Sequence, residues 1–244
     1  KQICLGIIYG IQKKLLAVKL SDPKAGIIVT PDEAQQQLNE FFQEHPKIKK
    51  FMINQEKVLI EHGYIKSLFG RKRRLPQVYS DNEQEAAYAV RLSVNMPCQS
   101  AASDMTLFAS ILNYWKIRQG ILPPLRETCT VHDAVYYLAD PEYINIFTVH
   151  NIWETCRNPS TKEYFKFEIN DVDMSMDFTI GRSMAEELPY IPGYDYRKML
   201  QPDFNVEKYL EEHRKWKDLS IKEFPKKFPE YFKKDYSWRK EKVV

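Results

Sequence analysis

Strand-forming residues flank the dipeptide His132-Asp133, and this arrangement constrains the fold more than any other feature of the sequence. The segment from Glu127 to Leu138 has β character on both sides of the dipeptide, which predicts a β-hairpin with His132 and Asp133 at its tip. An aspartate that follows an apolar strand at such a tip can hold a divalent cation. Taken alone, an aspartate in a turn most often serves the turn itself.

Helical patterns precede and follow the predicted hairpin. The predicted helices cover about residues 1–20, 31–44, 47–61, 80–92, 105–115, 141–156 and 205–216, with a break near Asn95-Met96-Pro97 and a buried face formed by Met105, Phe108, Leu112 and Trp115. A last strand pair is predicted at about 164–180, a loop-like linker at 188–194 and a peripheral tail beyond it. The pattern predicts an α+β fold in which helices are followed by a small antiparallel sheet backed by helices.

Composition excludes several classes of protein. Apolar residues make up 43% of the 244 residues, enough for a core, but no run approaches the roughly 20 apolar residues that cross a bilayer. No secretory signal pattern opens the chain, so no membrane partner and a cytoplasmic location are predicted. The net charge of +3 is too small to indicate a nucleic-acid partner by itself. Four cysteines lie far apart without a C-x-x-C pair, which is typical of reduced cysteines.

The first ten residues, KQICLGIIYG, combine charge, aromaticity and glycine. On a helix with about 100° between residues, one narrow sector carries Lys1, Leu5, Ile8, Tyr9 and Gln12, with Gly6 and Gly10 beside it. Such a face could hold a phosphate, a sugar and a stacked base. Because the chain starts on Lys1 without a methionine or a capping residue, the expectation is that an upstream part is a separate polypeptide or has been removed.

Two further segments carry residues suited to nucleic acid. Gly70 to Pro76 reads GRKRRLP, and its four cations could neutralise backbone phosphates, although such a run is about as often a solvated turn. The segment RLSVNMPCQSAASD, from Arg91 to Asp104, carries the amides of Asn95 and Gln99. These amides could contact the acceptors that every base pair shows in the minor groove. The alternative is that Asn95 caps a helix and Gln99 is simply a polar surface residue.

These segments resemble, in the same order, the motifs of family A DNA polymerases, the group that includes bacterial polymerase I. K-x4-G-x2-Y-G resembles the end of motif B, GRKRRLP resembles G-R-x-R-x-L-P, the next segment resembles R-x3-N-x-P-x-Q-[GS]-x-A-x-D, and Val131-His132-Asp133 resembles the V-H-D-E of motif C. The resemblance covers about residues 1–187. Ala134 replaces the motif C glutamate, and Leu5 stands where the family usually has Phe or Tyr.

The resemblance implies a division of the chain and a set of roles. It implies a fingers subdomain at 1–80, a palm portion at 81–187 and a C-terminal basic and aromatic extension at 188–244. The implied dNTP-binding residues are Lys1, Leu5, Tyr9 and Gly10; the DNA-binding residues are Arg71, Arg74, Arg91, Asn95, Gln99 and His132; Lys1 and Asp133 are catalytic, and Asp133 is the metal ligand.

The implied reaction is 5′→3′ nucleotidyl transfer from a dNTP to a primer 3′-hydroxyl with two Mg²⁺ ions. The second metal-bridging aspartate belongs to motif A, which lies upstream of motif B in the family. A companion chain or upstream segment that carries motif A and the thumb is therefore expected to bind the primer-template DNA together with this chain. Whether that part also carries an exonuclease is left open. A divergent bacteriophage enzyme working in a bacterial host cytoplasm is one interpretation.

Two alternatives of other classes remain at this stage. An inactive primer-template DNA-binding module is favoured by Ala134 and by the lack of motif A. A replisome scaffold would instead dock on a partner through the basic aromatic tail, about residues 204–244.

Overall fold

The computed structural model describes residues 6–157 and 176–233. The chain divides into two compact units, Lys1–Ala102 and Ser103–Val244. Within these described ranges, helices alternate with three antiparallel two-stranded sheets, and this mixture confirms the predicted α+β class. Across the described ranges, no helix has both the length and the apolar character that a membrane span requires.

The elements follow the chain in a simple order. Within the first unit lie α1 (Lys13–Leu20), α2 (Pro31–Glu44), α3 (Pro46–His62), β1 (Tyr64–Lys66) and β2 (Lys72–Arg74), followed by the long helix α4 (Glu83–Arg118), which runs on into the second unit. The second unit continues with β3 (Arg126–Val131), β4 (Ala134–Leu138), α5 (Ile146–Arg157), β5 (Thr179–Ile180), β6 (Leu188–Pro189), α6 (Val206–His213), α7 (Phe224–Lys227) and α8 (Pro229–Lys233). Each hairpin pairs strands adjacent in sequence, β1 with β2, β3 with β4 and β5 with β6.

Local signals determined the ends of α2 and α3. Thr30 and Glu33 form a reciprocal capping box at the start of α2, with Pro31 in the first turn. Gly63 ends α3 in the left-handed conformation at φ 68°. Both helices therefore lie close to their predicted bounds.

The helix predicted for residues 1–20 is interrupted. Residues 6–8 are helical, Tyr9 and Gly10 form a turn, and α1 begins only at Lys13. Gly10 adopts φ 77° and its N–H donates to the Ile7 carbonyl at 3.0 Å, a left-handed geometry that ends a helix. Gln12 precedes α1 in an extended conformation, so its predicted place in one helical sector with Tyr9 is wrong.

The predicted break near Asn95-Met96-Pro97 is also wrong, because α4 continues through Pro97 as one helix of 36 residues. A proline inside a helix removes one hydrogen bond and costs about 3 kcal/mol. Burial of apolar neighbours offsets this cost: Val94 is buried, and Met96 packs in the core of the first unit with Leu59 and other apolar residues.

The C-terminal extension is part of the second unit's core. The predicted linker contains strand β6, and the supposedly peripheral tail contributes buried aromatic side chains, so both predictions are wrong. The core residues from the extension include Leu188, Tyr190, Ile191, Tyr196, Met199, Tyr209 and Phe224, packed with Ile146 and Val149 of α5. Each aromatic side chain buries a large apolar area, which outweighs the cost of ordering an irregular segment. Of the predicted strand pair at 164–180, residues 164–175 lie outside the described ranges.

Candidate functional site

The predicted hairpin with His132 and Asp133 at its tip is present. Val131 pairs with Ala134 at the end of the β3–β4 ladder, which leaves His132 and Asp133 as a two-residue turn. His132 has φ 55°, the positive value that short hairpin turns require. The hydroxyl of Thr106 on α4 donates to the Asp133 carbonyl at 3.4 Å. The turn is thus set by strand pairing and contacts α4.

Asp133 is exposed at this tip. Among residues 6–157 and 176–233, no hydrogen bond or ion pair engages its carboxylate, which leaves both oxygens available to a ligand. Carboxylate oxygens are hard donors of the kind that Mg²⁺ prefers, so the side chain fits one position of a magnesium site. In the same described ranges, no group of three or more His, Cys, Asp or Glu residues is arranged to hold a metal ion.

The unbroken course of α4 aligns three residues of one motif. Arg91, Asn95 and Gln99 follow each other at intervals of four, which places them along one helix face. Gln99 is exposed, whereas Arg91 and Asn95 are partly buried. Asn95 lies inside α4, so it does not cap a helix, and its buried Oδ1 has no hydrogen-bond partner within the described part of the chain.

Arg91 also lies against the first motif. A Cβ added to Gly10 would lie 3.3 Å from Cγ of Arg91 and 3.6 Å from its Cδ. The Arg91 guanidinium in turn lies 5.8 Å from the ring centroid of Tyr88. Two segments that are far apart in sequence therefore meet at Gly10, whose neighbour Tyr9 is partly exposed.

Three of the four residues of the cationic run form a strand rather than a solvated turn. Lys72–Arg74 is β2, and its partners across the hairpin are Lys66, Ile65 and Tyr64 in that order. Because side chains alternate along a strand and directly opposed residues share a face, Lys72 and Arg74 lie with Lys66, while Arg73 lies on the face of buried Ile65.

Sequence reasoning named Arg71 and Arg74 but missed Lys66 and Lys72, which share the Arg74 face. Residues two apart in a strand share a face, so reading the cationic run as a strand could have identified Lys72 as a neighbour of Arg74. The Lys72 ammonium also lies 4.7 Å from the Tyr64 ring centroid. Arg71 precedes β2, is exposed, and its backbone N–H donates to the Ser67 hydroxyl at 3.1 Å.

The described candidate residues therefore fall in two places. Tyr9, Gly10, Arg71, Arg74, Arg91, Asn95 and Gln99 belong to the first unit, and His132 and Asp133 belong to the second. Lys1 and Leu5 lie outside the described residues.

Comparisons with known proteins agree with this set of motifs. The family model for DNA polymerase family A matches residues 1–186. DNA polymerase I of Caldicellulosiruptor bescii is 32% identical over 135 residues, which cover 55% of this chain and 15% of that protein. The DNA polymerase of Bacillus phage SP01 is 29% identical over 188 residues, which cover 76% of this chain and 20% of that protein.

A solved structure shows the same fold. The POL domain of Pol1 from M. smegmatis, in complex with DNA primer-template and dNTP, superposes with a TM-score of 0.53 at 24% identity, covering 64% of this chain and 25% of that one. The chain spans 15% of the C. bescii protein and 20% of the phage protein. Since the family model covers most of the sequence, residues 1–186 of 244, the chain belongs to the family A DNA polymerases.

Proposed function

We propose that this chain takes part in template-directed DNA synthesis, the 5′→3′ transfer of nucleotides from dNTPs to a primer 3′-hydroxyl. The observation that carries the proposal is the exposed Asp133 carboxylate at the turn of a hairpin whose sequence resembles motif C in all but Ala134. Strand pairing on both sides of the two-residue turn fixes the position of this carboxylate, and a metal ligand must be held in a fixed position.

Asp133 supplies one carboxylate to the metal site in this proposal. Family A DNA polymerases use divalent metal ions, and bound Mg²⁺ would lower the pKa of the primer 3′-hydroxyl and neutralise charge on the triphosphate. The second bridging carboxylate comes from motif A, on a companion chain or segment. His132 lies beside the primer end.

The first unit binds DNA and the incoming nucleotide in this proposal. Arg91, Asn95 and Gln99 present a cation and two amides along one face of α4, suited to phosphates and to minor-groove acceptors. Arg71 and Arg74 bind backbone phosphates. Lys1, Leu5, Tyr9 and Gly10 form the proposed dNTP site, where Lys1 binds the triphosphate and can protonate pyrophosphate.

An exposed apolar stripe supports a companion segment. Leu107, Ile111, Tyr114 and Trp115 are 41–55% exposed and lie along one face of α4. The prediction that Trp115 is buried within this chain is therefore wrong. A contiguous apolar face of this kind is typical of a surface that another chain or segment covers. We propose that the segment carrying motif A and the thumb covers it.

A second candidate is an inactive primer-template DNA-binding module. It is favoured by Ala134, which leaves Asp133 without an acidic neighbour at the hairpin tip. The scaffold alternative cannot be tested by deleting residues 204–244, because the deletion would remove Tyr209 and Phe224 from the core. Charge reversal at exposed Lys226 and Lys227 probes partner binding without disturbing that core.

The deciding experiment is Mg²⁺-dependent primer extension by the chain alone and mixed with a polypeptide carrying motif A and the thumb. The variants are Asp133→Ala and, as a matched control, Asp140→Ala, an exposed aspartate beyond the hairpin whose side chain caps no helix. Extension only in the mixture, lost with Asp133→Ala and kept with Asp140→Ala, supports the proposal. Tight primer-template binding without extension in any mixture would instead identify a DNA-binding module.

A further inference from the structure

One face of α4 contacts the β3–β4 hairpin from its tip to its base through polar side chains. Besides Thr106 at the tip, the Ser110 hydroxyl lies 2.7 Å from both carboxylate oxygens of Glu127 on β3. The Asn113 amide donates to the Tyr137 hydroxyl on β4 at 3.3 Å. Positions 106, 110 and 113 share one helix face because they are spaced by four and three residues.

The two inner contacts engage a single cross-strand pair. Glu127 and Tyr137 are directly opposed in the ladder, so both side chains project from the same face of the hairpin. A register shift follows at once between Glu127 and Cys129, and the hydroxyl of the intervening Thr128 donates to the Tyr136 carbonyl at 3.1 Å. Such bulges re-aim the side chains that follow them.

The helix side of these contacts is removed from solvent. Asn113 is 0% exposed and Ser110 is 8% exposed. A buried amide or hydroxyl is costly without a partner, so any shift of the hairpin along α4 that separates these pairs is opposed. Burial also raises the pKa of Tyr137, which keeps its hydroxyl protonated and neutral.

We propose that Ser110 and Asn113 are positioning residues, which fix the hairpin against α4 through Glu127 and Tyr137 and thereby place Asp133 for metal binding. The proposal rests on the proposed function, in which Asp133 is the metal ligand. Glu127 acts here as a hydrogen-bond acceptor, and its charge is not required. The pairs lie at the base of the hairpin, whereas Asp133 lies at its tip, so their effect on metal binding is transmitted by the rigid ladder.

The test uses the active assembly of this chain with the segment carrying motif A. The variants Ser110→Ala, Glu127→Ala and Tyr137→Phe each remove one partner, and Glu127→Gln removes the charge but keeps an acceptor. Ser93→Ala is the matched control, because Ser93 is a buried serine of the same helix whose hydroxyl donates to Val90 of α4 itself. Thermal unfolding of each variant confirms that it folds.

Two quantities are measured. One is the Mg²⁺ concentration for half-maximal primer extension, and the other is the dissociation constant for Mn²⁺, obtained from water-proton relaxation. Loss of a partner that orients a metal ligand typically weakens metal binding by a factor of 10 or more, so we expect both values to rise about tenfold in the three partner-deleting variants and to change less than about twofold in Glu127→Gln and Ser93→Ala.

The positioning role is overturned if the three variants match Ser93→Ala, or if Glu127→Gln is as impaired as Glu127→Ala, which would assign the role to charge. Failure of the proposed function gives a different pattern. In that case the wild-type assembly would show no primer extension, or Asp133→Ala would leave both extension and Mn²⁺ binding as in the wild type.

Discussion

Arg91 packs its aliphatic stem against the face of Gly10, where a Cβ would lie 3.3 Å from the Arg91 Cγ. Gly10 has φ 77°, so both its backbone conformation and its surroundings favour glycine. This contact joins the turn at the end of the motif B segment to the helix that carries Asn95 and Gln99. Gly10 of the proposed nucleotide site is therefore packed against the helix that carries the proposed minor-groove face.

Gly10→Ala is expected to destabilise the first unit and to weaken nucleotide use. The left-handed conformation costs an alanine about 1–2 kcal/mol, and the methyl group would also crowd Arg91. Gly26→Ala is the matched control, because Gly26 has φ 72° but nothing within 4 Å of its added Cβ. Thermal unfolding should show a loss of stability in both variants, larger in Gly10→Ala, and only Gly10→Ala should raise KM for the dNTP. Equal KM values in the two variants would contradict a role for the contact.

Arg74→Ala is expected to weaken primer-template binding more than Arg73→Ala does. Both residues belong to β2, but Arg74 shares its face with Lys66 and Lys72, and Arg73 lies on the face of buried Ile65. Removing one phosphate contact should reduce the slope of log affinity against log salt by about one. Fluorescence anisotropy over a salt series measures this slope. An equal change in both variants would mean that the two faces bind DNA alike.

The second unit is expected to lose stability on acidification through His150. Burial lowers the pKa of His150, whose ring lies 5.0 Å from that of Phe232 in α8. A histidine with a depressed folded-state pKa binds fewer protons when folded, so its contribution is present above the unfolded-state value of about 6.5 and is lost as pH falls below it.

Urea unfolding followed by intrinsic fluorescence at pH 7.5 and pH 5.5 measures the effect. His150→Phe should flatten this part of the pH dependence, while His62→Gln, at an exposed histidine of the first unit, should leave it unchanged. The same pH dependence in His150→Phe as in the wild type would exclude His150 as its source.

Phe224→Ala is expected to destabilise the second unit by about 3–5 kcal/mol. Phe224 is only 1% exposed in the core that the extension shares with α5. Leu200→Ala, at a leucine of the same extension that is 62% exposed, should change stability by less than about 0.5 kcal/mol. Chemical denaturation measures both. A small change in the free energy of unfolding for Phe224→Ala would mean that the extension is peripheral, as the sequence predicted.

Ile111→Asp is expected to weaken assembly with the segment that carries motif A. Ile111 is 52% exposed within the apolar stripe of α4, so a charge there leaves this chain folded but cannot be buried without cost. Val18→Asp, at an exposed valine of the first unit, is the control for an added charge. Analytical ultracentrifugation of the mixture should show weaker association for Ile111→Asp alone. Unchanged association would mean that the companion binds elsewhere.

Local sequence signals determined the elements whose ends or turns are set by neighbouring residues. The capping box of Thr30 and Glu33, the left-handed Gly63 and the His132-Asp133 turn each depend on hydrogen bonds or dihedral angles within a few residues. For that reason the bounds of α2 and α3 and the motif C hairpin were predictable. The family motifs likewise depend on residue spacing alone, and the match over residues 1–186 confirms the family.

Tertiary packing decided what the local signals left open or indicated wrongly. Pro97 predicts a break, but burial of its apolar neighbours Val94 and Met96 keeps α4 continuous, and only the continuous helix aligns Arg91, Asn95 and Gln99. Phe224 lies in a basic and aromatic segment predicted to be peripheral, yet it is buried against residues distant in sequence. Residue spacing describes the geometry of a single helix or strand. The free energy of burial depends on which other segments pack against that helix or strand in the folded protein.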